Sequence, residues 1–229
     1  MNNKKSTKIL IVGAGGIGSQ LTDLLVPALI AGDLTEKIGG AQVHIMDDDR
    51  VEVSNLAHQR HDPRMVGRLK VEALVERLSP YISPSLSLVA IPKKLHEPSQ
   101  LENYDFVIVA VDRPAARKIV HNSAKQWLDL RCSGDGYVAL DSDSDINLVN
   151  HMTPENQVPA SCQYPGAVEI GNVQFGFSMA ATHGAQWLIQ KIRSINDYPS
   201  RPTPARMFSL TYGKLDFPLI KAIAIGEGE

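Results

Sequence analysis

The chain has 229 residues, 43% hydrophobic and 21% charged, which is enough to bury the core of one α/β domain. Its formal net charge of −2 gives no support for binding nucleic acid or a membrane surface. No apolar stretch reaches the roughly 18 residues of a membrane helix, and the polar start of the chain lacks a signal-peptide pattern. Two cysteines are too few for a disulfide framework. These features predict a cytoplasmic protein.

Short apolar runs in the first half of the chain predict strands that are buried on both faces of a parallel sheet. The predicted strands are residues 8–12, 43–46, 86–91 and 106–111. Helical spacing of apolar residues, or a proline at a helix start, predicts helices at residues 71–78, 114–128 and 176–195. Strands that alternate with helices predict a Rossmann-like α/β fold, with a mostly parallel sheet and helices on both faces.

The last third of the chain has a different pattern. Residues 206–210 and 217–225 predict strands on either side of a turn at 212–214, so the C-terminal end of the sheet should be antiparallel. Residues 141–145 predict a solvated turn, and residues 24–40 an inserted loop or an extended helix end. The small-residue stripe in the last helix suits either the core or an interface, and we expect the core; its members are Ala180, Gly184 and Leu188. No linker divides the chain, which predicts one domain over residues 1–229.

A glycine loop follows the first predicted strand directly. Residues 13–18 read GAGGIG, a match to G-x-G-x-x-G that opens a helical pattern. Glycines let the backbone approach a pyrophosphate, whose charge is met by free N–H groups at the helix start. The loop therefore predicts nucleotide binding rather than tight packing alone, with four binding glycines: Gly13, Gly15, Gly16 and Gly18. Asp47 ends the second predicted strand and is a candidate for the ribose hydroxyls, although its separation from the loop exceeds the usual 20 or so residues.

The stretch after the second strand separates a dehydrogenase from a nucleotidyl-transfer enzyme. Residues 47–60, DDDRVEVSNLAHQR, resemble the ThiF/MoeB and ubiquitin-activating family, whose second strand ends in D-x-D-x-V-x-x-S-N-L-x-R-Q. Residues 66–73, VGRLKVEA, are similar to that family's V-G-x-x-K-x-E-A. Asp112 and Arg117 stand where the family has an aspartate and a downstream arginine. The resemblance covers nearly the whole chain and implies a single ATP-binding adenylation domain.

The resemblance also implies roles for individual residues. Asp47 would bind the ribose, and Asp49 matches the second aspartate of the family's D-x-D pattern. Asn55 and Lys70 would contact the phosphates, and Asp112 would hold Mg²⁺. Adenylation needs these groups because charge develops on the α-phosphate while pyrophosphate leaves. Simpler readings stay open: Lys70 could be a solvated charge and Asp112 a helix cap. Asp48 is expected to face solvent.

The chain departs from the family pattern at one cationic position. His58 replaces the phosphate-contacting arginine, and a neutral imidazole cannot make the same bidentate contact. Arg60 is the candidate substitute and is counted with Lys70 and Asp112 as a catalytic residue. The first eight residues contain no arginine for a partner subunit's nucleotide. His58 and His61 are expected to be surface histidines rather than a metal pair.

The cysteine pattern departs from the family as well. Cys162 resembles the remnant of a zinc-binding pair, with Pro159 where the other cysteine would stand, so no structural zinc is expected. Ala167 falls where many members carry the cysteine that forms a thioester or persulfide. Cys162 or Cys132 could replace that nucleophile, but packing is the expected role of both thiols. The resemblance then implies adenylation without covalent transfer to this chain.

The sequence is compatible with three functions. The leading one is ATP- and Mg²⁺-dependent adenylation of a carboxylate, with the C-terminal glycine of a ubiquitin-like or sulfur-carrier protein, or a peptide, as the acceptor. The second is a catalytically degenerate nucleotide-binding partner subunit, which His58 and the missing cysteine favour. The third, a nicotinamide-dependent dehydrogenase, leaves the S-N-L and V-G-x-x-K segments unexplained. A homodimer is expected by the resemblance.

Overall fold

The computed structural model describes residues 5–156 and 161–219, in which eight strands form one sheet. The strands are β1 (Thr7–Val12), β2 (Ala41–Met46), β3 (Leu86–Ile91), β4 (Phe106–Val109), β5 (Trp127–Ser133), β6 (Gly136–Asp141), β7 (Arg206–Ser209) and β8 (Gly213–Leu215). The α-helices are α1 (Gly16–Ile30), α2 (Leu34–Lys37), α3 (Lys70–Leu78), α4 (Pro114–Ser123), α5 (Ile146–His151) and α6 (Gly176–Ile195).

The sheet order creates a crevice at the carboxyl end of β1. The order is β3-β2-β1-β4-β5-β6-β7-β8, and the first five of these strands pair in parallel. β6, β7 and β8 continue the sheet by antiparallel pairing. The chain moves outward from β1 through β2 to β3 and then returns to place β4 on the other side of β1. Ligands of open α/β sheets bind at such a reversal. The predicted Rossmann-like sheet, with antiparallel strands at its C-terminal end, is confirmed.

Helices cover both faces of the sheet, which explains the continuous apolar runs. Ile9 and Ile11 of β1 pack into a core shared with α1, α3 and α6. Leu10 and Val12 point to the opposite face and pack into a second core shared with α4 and α5. All four side chains are buried. A strand between two helical layers has no solvent-facing side, so its residues are apolar without alternation.

The small-residue stripe of α6 belongs to the core, as expected. Ala180 and Leu188 are fully buried. A Cβ added at Gly184 would lie 2.7 Å from a methyl carbon of Leu130 and 3.2 Å from one of Leu21. The glycine therefore lets α6 approach the sheet and α1 together, and any larger residue would push the three elements apart.

The structure corrects the prediction for the middle of the chain. α4 ends at Ser123 rather than at residue 128, because Trp127 begins β5 and pairs with Val107 of β4. β6 and α5 lie in a part of the chain for which the sequence pattern predicted no strand or helix. Asp141 is not part of a solvated turn: it ends β6, is buried, and accepts a hydrogen bond from the indole Nε1 of Trp187 at 3.0 Å.

The C-terminal hairpin is tighter than predicted. β8 occupies residues 213–215 and so includes residues 213 and 214 of the expected turn. Asp135 holds the turn by accepting hydrogen bonds from the hydroxyl of Ser209 at 2.8 Å and the backbone N–H of Thr211 at 2.9 Å. Residues 217–219 form no strand, and the rest of the predicted strand to residue 225 lies outside the described residues.

The connection between the first two strands takes the extended-helix form. α1 continues to Ile30, and a single 3-10 turn, Ala31–Asp33, leads into α2. Over the described parts of the chain, no helix has both the length and the apolar character needed to cross a membrane.

Candidate active site

A cavity of about 410 Å³ opens at the carboxyl ends of β1, β2 and β4. The sequence-predicted residues that line it are Gly13, Gly15, Gly16, Asp47, Asp49, Lys70 and Asp112. The remaining polar or charged residues of the lining are Asp48, His58, Gln59, Lys93, Lys94, Arg113, Ser161 and Cys162. Most of the predicted site thus converges on one crevice, at the place where the strand order reverses.

The four glycines of the loop divide into two groups. Gly15 and Gly16 line the cavity at the start of α1, whose first backbone N–H groups have no partner within the helix. Gly13 also lines it and has a φ of +107°, which a residue with a side chain rarely adopts. Gly18 lies outside the lining: a Cβ there would sit 1.8 Å from the carbonyl oxygen of Gly13. Gly18 therefore keeps α1 close to β1, and the other three glycines form the cradle.

The carboxylate of Asp47, directly after β2, accepts hydrogen bonds from two backbone N–H groups. Its Oδ2 accepts a hydrogen bond from the backbone N–H of Ala14 at 2.6 Å, and its Oδ1 accepts one from the backbone N–H of Asp49 at 2.8 Å. Burial raises the pKa of Asp47, and these two backbone hydrogen bonds oppose that change. The carboxylate thus joins the glycine loop to the end of β2 and keeps lone pairs that face the cavity.

Lys70 is a buried cation and not a solvated charge. Its side chain is 8% exposed and its Nζ lies 3.2 Å from Oδ2 of Asp49, whose side chain is 63% exposed. The V-G-x-x-K segment is brought to the cavity because residues 50 and 69 form a β-bridge just before α3 begins at Lys70. An ammonium group buried beside an exposed carboxylate can exchange that carboxylate for a ligand anion.

Asp112 lies in the cavity lining after the end of β4. It does not cap α4, because Arg113 occupies the cap position and no side chain donates or accepts a capping hydrogen bond there. Within residues 5–156 and 161–219, Asp112 has no hydrogen-bond or ion-pair partner. Arg117 does not line the cavity, and it binds the buried carboxylate of Asp129. Of the two residues matched to the family pattern here, only Asp112 faces the crevice.

Besides Gly18, two predicted residues do not reach this cavity. The side-chain Oδ1 of Asn55 accepts the backbone N–H of Glu52 at 3.1 Å, and the residue lines a neighbouring cavity instead. Arg60 is directed outward, with a side chain that is 60% exposed and an Nε that lies 3.0 Å from Asp23. Arg60 therefore does not supply the cation that was expected to compensate for His58.

Sequence reasoning missed four charged residues at the mouth of the cavity. Lys93 and Lys94 follow β3, and Arg113 follows β4, so all three lie at the carboxyl edge of the sheet. Asp48 was expected to face solvent but is half-buried, with Lys94 at 3.1 Å and Arg113 at 3.9 Å. Their position directly after parallel strands was the signal that could have identified them.

The histidines and the acidic run bear on metal binding. His61 is buried, contrary to the expected surface position, and its Nε2 lies 3.2 Å from the carbonyl oxygen of Ala14. His58 lines the cavity and packs edge-on against Phe177, so the two histidines do not face each other. Three carboxylates after β2 are close enough to share a cation, with oxygens within 4.8 Å of one another: Asp47, Asp48 and Asp49.

The two cysteines lie side by side. The two thiols interact with each other, and this interaction lowers the pKa of Cys162 while it raises that of Cys132. Both are half-buried and pack against the core, and Cys162 also lines the cavity. Ala167, at the position expected for a nucleophilic cysteine, is buried. Pro159 lies outside the described residues.

The fold places the chain in the Rossmann-like class of α/β proteins, with its crevice at the carboxyl edge of the sheet. Comparison with known sequences makes this more specific: the profile described as the ThiF family matches residues 1–222. The chain belongs to the ThiF family.

Curated relatives agree with this assignment. The chain is 30% identical over 175 residues to "Adenylyltransferase and sulfurtransferase UBA4" of Lodderomyces elongisporus, an alignment that covers 74% of this chain and 34% of that protein. It is 32% identical over 166 residues to the protein of the same name from Vanderwaltozyma polyspora, which covers 70% of this chain and 34% of that protein. The chain thus spans about a third of the length of these relatives.

Solved structures share the fold. E. coli MccB with ATP superposes with a TM-score of 0.63 at 17% identity, over 93% of this chain and 63% of that one. PaaA superposes with a TM-score of 0.61 at 19% identity, also over 93% of this chain and 63% of that one. At such identities the similarity establishes the fold, and the site rests on the geometry described above.

Proposed function

We propose that this chain is an ATP-dependent adenylyltransferase that activates a carboxylate, formed as a single domain over residues 1–229. The observation that carries the proposal is the convergence of a glycine cradle, Asp47, the Lys70–Asp49 pair and Asp112 on one crevice. A dehydrogenase needs the cradle and Asp47 but has no use for a buried lysine and an unpartnered carboxylate at the phosphate end. The names of the curated relatives support the same reaction type.

The residues present suit a magnesium–nucleotide complex. Gly13, Gly15 and Gly16 offer the backbone approach that phosphates need, and Asp47 offers acceptors to ribose hydroxyls. The ammonium group of Lys70 would leave the carboxylate of Asp49 and bind a phosphate oxygen instead. Asp112, which has neither a cap role nor an ion-pair partner, would hold Mg²⁺ with oxygen ligands, as that ion prefers. The ion would offset the negative charge of the leaving pyrophosphate.

In the proposed reaction the acceptor carboxylate attacks the α-phosphorus, pyrophosphate leaves, and an acyl adenylate forms. The residues of this chain contribute position and charge: the cradle fixes the phosphates, and Lys70 stabilises negative charge that develops in the transition state. Arg60 and Asn55 take no part in this scheme as they are placed. The acceptor would be the C-terminal glycine of a ubiquitin-like or sulfur-carrier protein, or a peptide, and the active form a homodimer.

Calorimetric titration with ATP, with and without Mg²⁺, tests the proposal. The expected result is magnesium-dependent ATP binding that Asp112→Ala weakens at least tenfold, with no comparable binding of NAD. Asp143→Ala is the matched control, because Asp143 is an exposed aspartate that does not line the cavity and is paired with Lys191. ATP–pyrophosphate exchange with candidate carrier tails would follow. Tight NAD binding, or ATP binding that ignores both Mg²⁺ and Asp112, contradicts adenylation.

A second candidate is a catalytically degenerate partner subunit. The observation that favours it is the absence of an arginine from the cavity at position 58, together with the outward position of Arg60. Such a subunit would bind the nucleotide and support no pyrophosphate exchange with any carrier. Exchange by the purified chain alone rules it out, and ATP binding without exchange favours it.

A further inference from the structure

Two thiols meet where the turn after β5 contacts the segment that follows residue 161. The backbone N–H of Gly134 donates to the carbonyl oxygen of Cys162 at 3.0 Å, and a Cβ added at Gly134 would lie 2.5 Å from the ring of Tyr164. Cys132 lies two residues before that glycine, near the end of β5. These contacts bring together the two cysteines of the chain, whose side chains interact directly.

Hydrogen bonds fix both segments in place. Gln163 is buried, its Nε2 donates to the carbonyl oxygen of Gln174 at 2.7 Å, and its Oε1 accepts the backbone N–H of Gln174 at 2.9 Å. The carbonyl oxygen of Gly134 accepts the N–H of Gly176, the first residue of α6, at 3.0 Å. A disulfide tolerates only a narrow range of Cα separations, about 4.4–6.8 Å, so thiols that are held together in one unit are the ones that can be joined.

The two thiols differ in their access to solvent. Cys162 lines the nucleotide crevice, whereas Cys132 is not part of that lining. The interaction between the thiols also lowers the pKa of Cys162, and the same interaction together with burial raises the pKa of Cys132. Because the thiolate is the attacking species in disulfide exchange, a reagent that enters the crevice reacts with Cys162 first.

We propose that a small disulfide, such as oxidised glutathione, converts Cys162 and Cys132 into an intramolecular disulfide, with Cys162 as the attacking thiol and Cys132 as the resolving thiol. The thiolate of Cys162 attacks one sulfur of the reagent, whose S–S bond breaks, and the leaving thiolate takes up the proton that Cys162 released. Cys132 then loses its proton and attacks Sγ of Cys162, which expels the second thiol. Two electrons and two protons pass from the pair to the reagent, which leaves as two thiols.

The position of Cys162 in the crevice couples this chemistry to the nucleotide. Asp112 and Ser161 line the same cavity, so a ligand that fills it covers the thiol that must attack first. Bound Mg²⁺–ATP therefore slows oxidation of the pair. This coupling rests on the proposed function, whereas formation of the disulfide rests on the contact between the two segments alone.

Oxidation of the purified full chain by oxidised glutathione tests the disulfide. Mass spectrometry is expected to show the loss of two hydrogen atoms without bound glutathione, and a non-reducing denaturing gel to show a monomer, because the only two cysteines pair within one chain. Closing this loop restricts the unfolded state, so the Tm should rise by several degrees, and dithiothreitol should reverse all these changes. No loss of mass, a disulfide-linked dimer or a lower Tm after oxidation overturns the proposal.

Single serine variants test the order of attack. Cys132→Ser is expected to stop at the mixed disulfide, with one glutathione on Cys162, because the resolving thiol is absent. Cys162→Ser should react at Cys132 about tenfold more slowly, since that thiol lies outside the crevice lining and its pKa is raised. The Tm of each reduced variant shows that it is folded. Modification of Cys162→Ser as fast as Cys132→Ser overturns the assigned order.

Oxidation rates with and without nucleotide separate this proposal from the proposed function. At an ATP concentration that calorimetry shows to be saturating, Mg²⁺–ATP should slow oxidation of the wild type by about fivefold or more, and NAD should have no effect. If ATP binds and gives no protection, the coupling is overturned. If ATP does not bind but the disulfide forms, the proposed function fails and the thiol pair stands. If ATP binds and no disulfide forms, the thiol pair fails alone.

Discussion

A buried charge cluster around Asp129 gives the clearest prediction about stability. Asp129 on β5 is fully buried, and its Oδ1 accepts a hydrogen bond from the guanidinium of Arg117. Its Oδ2 accepts one from Nε2 of His121 at 3.0 Å and one from Nη2 of Arg131 at 2.6 Å. Arg131 also donates to the hydroxyl of Thr153 at 2.6 Å, so the cluster links β5 and α4 to the segment after α5.

Asp129→Asn keeps the shape of the side chain and removes its charge. Arg117, whose side chain is 7% exposed, then becomes a buried cation without a carboxylate. Loss of one member of a buried pair costs about 3–5 kcal/mol, a large fraction of the roughly 5–15 kcal/mol that stabilises a typical domain. Urea-induced unfolding at pH 7 measures the difference. In the control, Asp143→Asn, the carboxylate is 66% exposed, so a loss within about 1 kcal/mol is expected.

The pH dependence of the free energy of unfolding, compared between the wild type and Asp129→Asn, tests whether the charge of Asp129 is the cause of the difference. Burial raises the pKa of Asp129, but Arg117, His121 and Arg131 together outweigh that effect and hold the pKa below its ordinary value. The stabilisation is therefore complete above the unfolded pKa of about 3.9 and is lost as the pH falls through the folded value. The gap between the wild type and Asp129→Asn should narrow below about pH 4. A loss no larger than that of Asp143→Asn at pH 7 refutes the reasoning.

Three further changes have distinct expected results. Gly18→Ala places a Cβ 1.8 Å from a backbone oxygen and should lower the free energy of unfolding by about 3 kcal/mol or more. At Gly15 the nearest neighbour of an added Cβ is 3.9 Å away, so Gly15→Ala should keep the wild-type Tm but weaken ATP binding. Equal Tm values for the two variants would contradict this. Burial lowers the pKa of His61 and of His183 to about 4, so the native state resists protonation and stability should fall between about pH 6.5 and 4. Replacing both histidines by glutamine should reduce this dependence of stability on pH. An unchanged dependence would show that other groups are responsible for it. Asp48→Asn frees two cations at the cavity mouth and should tighten ATP binding without Mg²⁺ severalfold in calorimetry; an unchanged affinity would show that these cations do not reach the nucleotide.

The fold was predictable where local pattern and burial agree. The apolar runs of β1 to β4 and the glycine loop each identify their own structure, because a strand buried on both faces needs continuous apolar residues. β6 was not predictable in this way. Its pairing with β5 is local and crosses a tight turn at Gly134 and Asp135, which is a hairpin signal in the sequence, but its burial depends on β7 and α6, which are distant in sequence. The helix-favouring pattern up to residue 128 was likewise overridden by the pairing of Trp127 with Val107.

The site was predictable where the motif residue is held by the fold itself. Asp47 and Lys70 lie in the cavity because a strand end and a helix start place them there. Arg60 shows the limit: it sits two residues from the expected cation, but Asp23 on α1 binds it on the outer surface. Sequence distance does not determine which way a loop side chain points when an ion pair is available on another element.

The charges of the cavity explain why the change from arginine to His58 matters under the proposed function. The lining contains four carboxylates, Asp47, Asp48, Asp49 and Asp112, and four cationic side chains, Lys70, Lys93, Lys94 and Arg113. Three of these cations already have carboxylate partners, at Asp49 or Asp48. An almost neutral crevice has little net attraction for a triphosphate. The positive charge must then arrive with the nucleotide, as a bound divalent ion, or be released when the phosphates displace Asp48 and Asp49. The first route makes ATP affinity depend on Mg²⁺ more strongly than it would in a crevice with an arginine at position 58, whereas the second supplies the charge from the protein itself.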